Sequence, residues 1–366
     1  MKQELEELGY PPEIISSIED LREDIKFDKF DTKGVNGYVI FGFHKIMEKR
    51  IALKYYYYGD REHEEVQLLT QCKSPSIIQI LNARSIGNGF AYFMTNEVNG
   101  GDLDNFIQSP NKSLIKAIRI TRKILDGVSD MHKDEFRILH RDLKPANILL
   151  DTSLNPFIAD FGSVKKLPDG QAFINGSKHA ALYRPPESYD DEYYKSSDLF
   201  QVGLVLYQLL GGYFPYDGKA YLNKKQTKEF NKLTSGFDKS KFIDGVLQKK
   251  CQKGNLTDLD SLPRYVDKKL KRIIKKAINP NPNSRYQSAS EFDLALHELG
   301  VLNNWKIENE EYLLVDCNNK DYRIINEGLS YKCIKSKTRQ NSWRKEGKIK
   351  AGSESEVLDQ LIKHVE

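Results

Sequence analysis

The sequence predicts an α+β fold in which a small β-rich unit precedes a larger helical unit, and a second small unit closes the chain. β-Branched and aromatic runs fill residues 25–93, which is typical of strands. After Gly101 the chain turns to long amphipathic stretches, and from Trp305 strand-like runs return. We expect the first two units to meet at a cleft.

Residues 1–24 predict a short acidic helical segment that two adjacent prolines, Pro11 and Pro12, interrupt. Within it, "SSIEDLRED" places serines before a periodic apolar face, which predicts an N-cap at Ser16 or Ser17. We expect this segment to pack as a cap on the unit that follows.

The β-rich unit is predicted from "NGYVIFGFHKI" and "KRIALKYYYY", two strand-like runs on either side of a turn. The helical unit is predicted from "SLIKAIRITRKILDGVSDMH" and "SSDLFQVGLVLYQLL", whose apolar residues recur at helical spacing. The closing unit, residues 301–366, combines "EYLLVD", "DYRII" and "SYKCIK" with a final helix that Ser353 or Ser355 can cap.

Composition predicts a cytoplasmic protein without a membrane partner. With 366 residues, 39% of them hydrophobic, the chain can bury a large core, and a net charge of +4 does not by itself indicate nucleic acid or an acidic membrane. The first residues are acidic, and the best apolar run, "LFQVGLVLYQLL", is too short to span a bilayer. The cysteines form no CxxC pair, which favours a reducing compartment: Cys72, Cys251, Cys317 and Cys333.

The stretch "HRDLKPANILLD" carries the chemistry. Asp142, Lys144 and Asn147 lie within six positions and therefore fit a loop that ends where the strand "ILL" begins. Asp160 follows in "ADFGS", and a hairpin would bring it to Asn147, giving two oxygen ligands that suit Mg²⁺ and substrate phosphates. Asp142 is then left to accept the proton of an attacking hydroxyl.

With these parts in this order, residues from about Phe27 to Gly300 resemble a eukaryotic-type serine/threonine protein kinase. The resemblance implies the bilobal kinase fold over residues 25–300, with a β-rich N-lobe at 25–97 and a helical C-lobe at 98–300. The segments that carry it are "TKGVNGYV", "IALK", "FMTNEVNGGDL", "HRDLKPAN", "DFG", "YRPPE", "SSDLFQVG" and "NPNSRYQSASEF".

The resemblance implies ATP and Mg²⁺ as cofactors. Lys54 would hold the α and β phosphates and pair with Glu65, while Asn147 and Asp160 would bind the metal. Asp102 would point toward the ribose. The other residues implied to contact nucleotide are Gly34, Gly37, Val39, Ala52, Asn96, Val98 and Leu149, with Thr95 as gatekeeper.

The same resemblance implies protein substrates, with Asp142 as the base and Lys144 stabilising the transferred phosphoryl group. A lysine at this position is typical of serine/threonine-directed members. Autophosphorylation is expected, with Ser163 and Ser177 as candidate sites. Scaffold roles are implied for Asp198, which would brace the catalytic loop, and for an ion pair between Glu187 and Arg285.

Each motif taken singly has an ordinary structural interpretation. Gly34 and Gly37 fit a hairpin turn, Lys54 fits an edge-strand lysine, and Glu65 fits a solvated helix face. Their conjunction favours the kinase interpretation.

Two positions depart from the family pattern and support an alternative function. Thr32 replaces the first glycine of the phosphate loop, and Ala180 stands where a hydroxyl is usual. They keep a second function open, that of a pseudokinase scaffold acting through nucleotide-dependent conformation and its C-terminal module.

The C-terminal unit contains a positively charged stretch, residues 332–350, with Trp343 inside it. A basic strand pair with an aromatic residue is able to bind nucleic acid or an acidic protein surface. The other interpretation is a solvated β-hairpin docked on the large lobe, and the sequence leaves both open.

Overall fold

Two helices, an N-lobe sheet, a helical C-lobe and a C-terminal sheet follow one another along the chain in a computed structural model. This order confirms the predicted α+β, two-lobed fold. The residues that the structure describes are 2–31, 37–58, 63–110, 112–175, 181–309, 311–338, 340 and 342–365.

Two helices, α1 (Lys2–Glu7) and α2 (Pro12–Leu21), precede the first sheet. The N-cap predicted at Ser16 or Ser17 is wrong, because both serines lie inside α2. The helix instead starts with Pro12 at its first position, where the missing proline N–H costs nothing. Ser17 is buried, and its Oγ lies 3.2 Å from the hydroxyl of Tyr55.

The N-lobe is a five-stranded antiparallel sheet in the order β1-β2-β3-β5-β4. Apolar residues of α1 and α2, among them Leu5, Ile14 and Ile18, cover one face of this sheet. A third helix follows β3 in the sequence. The bounds are β1 (Ile25–Asp31), β2 (Tyr38–His44), β3 (Lys49–Tyr57), α3 (Glu64–Gln71), β4 (Ile80–Gly87) and β5 (Phe90–Asn96).

The C-lobe is mostly helical, with two short two-stranded sheets, β6-β9 and β7-β8. The loop between β6 and β7 holds the predicted catalytic residues. Bounds are α4 (Leu103–Gln108), α5 (Leu114–Met131), β6 (Ile138–Leu139), β7 (Ile148–Leu150), β8 (Pro156–Ile158), β9 (Lys165–Lys166), α6 (Lys195–Leu209), α7 (Lys224–Lys232), α8 (Gly236–Gln252), α9 (Lys268–Ala277) and α10 (Ala289–His297).

Helix α6 is the centre of the C-lobe, since every residue from Ser196 to Leu209 is buried. Gly203 permits a close contact with α9: a Cβ there would come within 2.8 Å of the Cβ of Ala277. A helix that is buried on all sides fixes the position of any polar side chain that it carries.

The C-terminal unit is a five-stranded antiparallel meander with one helix. Trp305 stacks on Tyr265 of the C-lobe, with ring centroids 5.8 Å apart and ring planes 3° from parallel. Of the two predicted caps, Ser353 is the one used, since its Oγ accepts from the backbone N–H of Glu356. The elements are β10 (Asn304–Glu308), β11 (Glu311–Cys317), β12 (Lys320–Asn326), β13 (Tyr331–Lys337), β14 (Arg344–Lys345) and α11 (Glu354–Val365).

Across the described part of the chain, every helix is too short or too polar to traverse a lipid bilayer. The division into residues 1–24, 25–300 and 301–366 stays a prediction.

A buried ion pair joins Glu187 to Arg285 in the C-lobe, as the resemblance implied. Arg285 donates two hydrogen bonds of 2.7 Å to Glu187, one to each carboxylate oxygen. Arg285 is only 2% exposed, and its Nε donates to the carbonyl of Asn279 at 2.6 Å. The pair therefore fixes the segment that ends at Glu187 against the loop before α10.

We expect Arg285→Met to destabilise the protein by about 3–5 kcal/mol, because it leaves the Glu187 carboxylate buried without its cation. Chemical denaturation measures the loss. Arg22→Met is the matched control: Arg22 pairs with Glu19 on the surface, and losing such a pair costs under about 1 kcal/mol. Equal losses for the two variants would contradict the scaffold role of Arg285.

Candidate active site

Asp142 lies at the centre of a compact hydrogen-bonded group in the loop between β6 and β7. Its Oδ2 accepts from Lys144 Nζ at 2.7 Å and from Asn147 Nδ2 at 2.9 Å. Asn147 Nδ2 also donates to the backbone carbonyl of Asp142 at 2.8 Å. The Asp142 side chain is 7% exposed. The structure thus brings together the three residues that the motif singled out.

Asp198, on helix α6, holds this loop in place. One carboxylate oxygen accepts the backbone N–H of His140 and the other that of Arg141, both at 2.9 Å. Arg141 has a φ of 70°, a left-handed conformation that a non-glycine residue keeps only when its surroundings fix it. The bracing role that the resemblance implied for Asp198 is confirmed.

Asp198 is fully buried and yet ionised. His132 Nε2 lies 2.8 Å from one carboxylate oxygen, and the Tyr193 hydroxyl donates to the other at 2.9 Å. Burial acts to raise the pKa of the Asp198 carboxyl, but the hydrogen bond and charge of His132 outweigh it, so that this pKa lies below its ordinary value. The carboxylate therefore accepts from all of its donors at neutral pH.

Sequence reasoning missed three residues that support the loop: His132, Tyr193 and Gln201. Gln201 Oε1 accepts the backbone N–H of Leu143 at 2.8 Å and the Tyr193 hydroxyl at 3.0 Å. The spacing of Asp198 and Gln201, three residues apart on one helix, was a signal for a shared face. Nothing in the sequence pattern indicated Tyr193 or His132.

Lys54 joins the two lobes through two carboxylates. Its Nζ lies 2.7 Å from Glu65 Oε1 on α3 and 2.9 Å from Asp160 Oδ1 after β8. The Lys54 side chain is 16% exposed. Burial acts to lower the pKa of Lys54, but the attraction of Glu65 and Asp160 outweighs it and raises this pKa above its ordinary value. Lys54 is therefore cationic at any ordinary pH.

Asp160 is held beside the catalytic loop by backbone contacts. The N–H of Ala159 donates to the carbonyl of Asn147 at 2.9 Å, which places Asp160 next to Asn147. Phe161 is 1% exposed, and its ring lies edge-on to that of His140 with centroids 5.3 Å apart. The hairpin of β7 and β8 thus brings Asn147 and Asp160 close together, as predicted.

The residues predicted to contact nucleotide lie on neighbouring strands. Val39 pairs with Lys54 across β2 and β3, and Ala52 pairs with Thr95 across β3 and β5. Asn96 ends β5, and Val98 follows it. These side chains belong to one stretch of the N-lobe sheet.

On the C-lobe side, Asp102 and Leu149 form an antiparallel bridge. The Asp102 carboxylate caps α4 by accepting the N–H of Asn105 at 2.8 Å, a contact that the sequence did not indicate. Its predicted contact with the ribose stays a prediction.

Only glycine fits at position 37, at the end of the glycine-rich segment. Its φ is 138°, and a Cβ would lie 2.1 Å from the carbonyl oxygen of Tyr55. Gly34 and Thr32 of the same segment, and Ser177 and Ala180 of the later one, lie outside the described residues.

The donor set at Asn147 and Asp160 fits Mg²⁺. Because Asn147 uses its Nδ2 for Asp142, its Oδ1 would be the atom that holds a metal, and the Asp160 carboxylate would supply the second oxygen. No group of three or more His, Cys, Asp or Glu side chains suited to a metal occurs in the described part of the chain. Two oxygen ligands are what Mg²⁺ takes from a protein when phosphates and water complete its shell.

Acidic neighbours offset two of the positive charges in the basic stretch at 332–350. Lys335 pairs with Glu346 at 2.6 Å, and Lys332 pairs with Glu327. Outside the stretch, the guanidinium of Arg323 lies 5.1 Å from the centroid of the Trp343 ring. The nucleic-acid or acidic-protein partner of this stretch stays a prediction.

Residues 32–294 match the family of the protein kinase domain. The chain is similar to the carbon catabolite-derepressing protein kinases of Candida glabrata and Saccharomyces cerevisiae, at 28% identity over 273 residues in each case. The similarity covers 74% of this chain but only 38% and 37% of those two relatives. Since the family match extends over well more than half of its length, the chain belongs to the protein kinase family.

Proposed function

We propose that this chain transfers the γ-phosphoryl group of ATP to serine or threonine hydroxyl groups of proteins, itself among them, with Mg²⁺ as the metal. The arrangement of Asp142 carries the proposal: a carboxylate fixed by Lys144 and Asn147 beside a two-oxygen metal site. A scaffold has no physical need for that combination.

On the donor side, Lys54 is oriented by Glu65 and Asp160. A cation fixed in advance binds phosphate oxygens without first losing rotamer freedom. Its raised pKa keeps it charged. When bound at Asn147 and Asp160, Mg²⁺ would neutralise phosphate charge.

On the acceptor side, Asp142 orients the hydroxyl and accepts its proton as the phosphoryl group moves. Lys144 Nζ, 2.7 Å from Asp142, is close enough to neutralise charge on the transferred phosphoryl group in the transition state. Catalysis then consists of positioning and electrostatic stabilisation, as phosphoryl transfer requires.

Of the two candidate sites of autophosphorylation, Ser163 is poorly suited. It lies in the turn after Asp160, and only 8% of its surface is exposed. Ser177, outside the described residues, is the remaining candidate.

A cytoplasmic location accompanies this proposal. All four cysteines are buried and unpaired, as expected where thiols stay reduced.

Asp142→Asn is expected to lower phosphate transfer by at least about a hundredfold, because the amide cannot accept the hydroxyl proton. Nucleotide affinity should stay within about twofold, since Lys54 and its partners are unchanged. Transfer is measured with γ-labelled ATP and affinity by thermal shift. Asp134→Asn, which changes an exposed carboxylate, is the control. Undiminished transfer in Asp142→Asn would disprove its role as base.

We expect ATP to stabilise the wild type against thermal unfolding and Lys54→Met to abolish this stabilisation. The change removes the phosphate-binding cation and leaves Glu65 and Asp160 facing each other without it. Thermal shift with and without nucleotide measures the effect. Lys45→Met, at an exposed lysine that bonds only backbone carbonyls, is the matched control. Unchanged nucleotide stabilisation in Lys54→Met would contradict the assignment.

A further inference from the structure

Helices α7 and α8 of the C-lobe present a surface of lysines. Five of the six are exposed and Lys239 is half-buried. Between Lys219 and Lys241 the only acidic residues are Glu229 and Asp238. We call this group the lysine surface: Lys224, Lys225, Lys228, Lys232, Lys239 and Lys241.

Within residues 181–309, all of which the structure describes, the lysine surface makes no ion pair. No carboxylate lies within 4.0 Å of any of the six ammonium groups in that part of the chain. Lys239 instead lies 5.7 Å from the centroid of the Phe230 ring, and Lys219 lies 5.8 Å from the same centroid. Two cations thus share one aromatic ring, which concentrates charge of one sign.

This charge opposes the stability of α7. Lys224, Lys228 and Lys232 follow one another at intervals of four, where like charges destabilise a helix by about 0.2–0.5 kcal/mol per pair. Lys224 and Lys225 also stand in the first turn, at the positive end of the helix dipole, and this turn has no acidic residue. Glu229 is the only acidic residue of α7, so the helix presents mainly positive charge. A binding role accounts for charge that the helix keeps at a cost in its own stability.

A chain of hydrogen bonds links the segment before α7 to α4 and to Tyr183. The Tyr183 hydroxyl donates to Gln208 Oε1 at 2.7 Å, and Gln208 Nε2 donates to the Tyr216 hydroxyl at 3.2 Å. Tyr216 also donates to Asp104 on α4, next to the nucleotide cleft. The segment that leads into α7 is therefore tied to the "YRPPE" motif, which ends at Glu187.

We propose that the lysine surface binds an acidic segment of the protein substrate and so selects substrates that carry clustered Asp and Glu beside the acceptor hydroxyl. This inference rests on the proposed kinase function. Residues 218–253 contain no arginine, the residue that bidentate phosphate recognition favours, so the lysines act as point charges. Phe237, 75% exposed at the start of α8, adds an apolar contact that suits a polypeptide.

The test compares two variants that each lose four positive charges. One carries Lys224→Gln, Lys225→Gln, Lys228→Gln and Lys232→Gln. The control carries Lys26→Gln, Lys45→Gln, Lys268→Gln and Lys275→Gln, which neutralise exposed lysines outside both the lysine surface and the basic stretch at 332–350. Both sets lie away from the catalytic residues. Because the α7 changes remove like-charge repulsion, we expect that variant to melt no lower than the wild type.

The probes are two fluorescent peptides with one serine in a neutral context, followed by a run of either glutamate or glutamine. Fluorescence anisotropy without nucleotide measures binding, and labelled ATP measures kcat/KM. We expect wild type to prefer the glutamate peptide by about tenfold in both readouts at low salt. The α7 variant should lose this preference through KM, whereas the control should keep it within about twofold.

Equal affinity of wild type for the two peptides would overturn the proposal, as would an equal loss in both variants. A labelled single-stranded oligonucleotide tests the nucleic-acid alternative. If the wild type binds it more tightly than the glutamate peptide and the α7 variant does not bind it, the proposal is overturned in favour of a nucleic-acid site. If anisotropy shows the preference but no phosphate is transferred, the kinase function fails and the acidic-segment site stands.

Discussion

The buried carboxylate of Asp198 is the constraint on which the rest of the site depends. It accepts from two backbone N–H groups, from Tyr193 and from His132, so that groups from three separate parts of the chain meet at one side chain. The carboxylate sits on a helix that is buried all round and has no freedom to move. The position of Asp142, a few residues from those N–H groups, follows from it.

The part of the site that could be predicted lies in one short stretch of the sequence. Asp142, Lys144 and Asn147 lie within six residues, and the loop that joins them needs no distant information. The pairing of Lys54 with Glu65 came from family resemblance, since no local pattern states that a strand and a helix will meet. The contact of Lys54 with Asp160 was not predicted.

The residues that the sequence did not predict take their roles from tertiary contacts. His132 and Tyr193 are ordinary residues at a helix end and before α6, and only the folded chain brings them to Asp198. Ser17 looked like a cap because serine favours helix starts, yet Pro12 starts the helix and Ser17 bonds Tyr55 instead. The stacking of Trp305 on Tyr265 likewise has no sequence signal.

The two N-terminal helices have a practical consequence for expressing shorter fragments. Ile40, Leu53 and Tyr55 are completely shielded from water by a layer to which α1 and α2 contribute. A fragment trimmed to the kinase motifs, starting at residue 25, would expose these side chains as an apolar strip on a sheet, the kind of surface that aggregates. Soluble truncations should therefore retain Leu5 and everything after it.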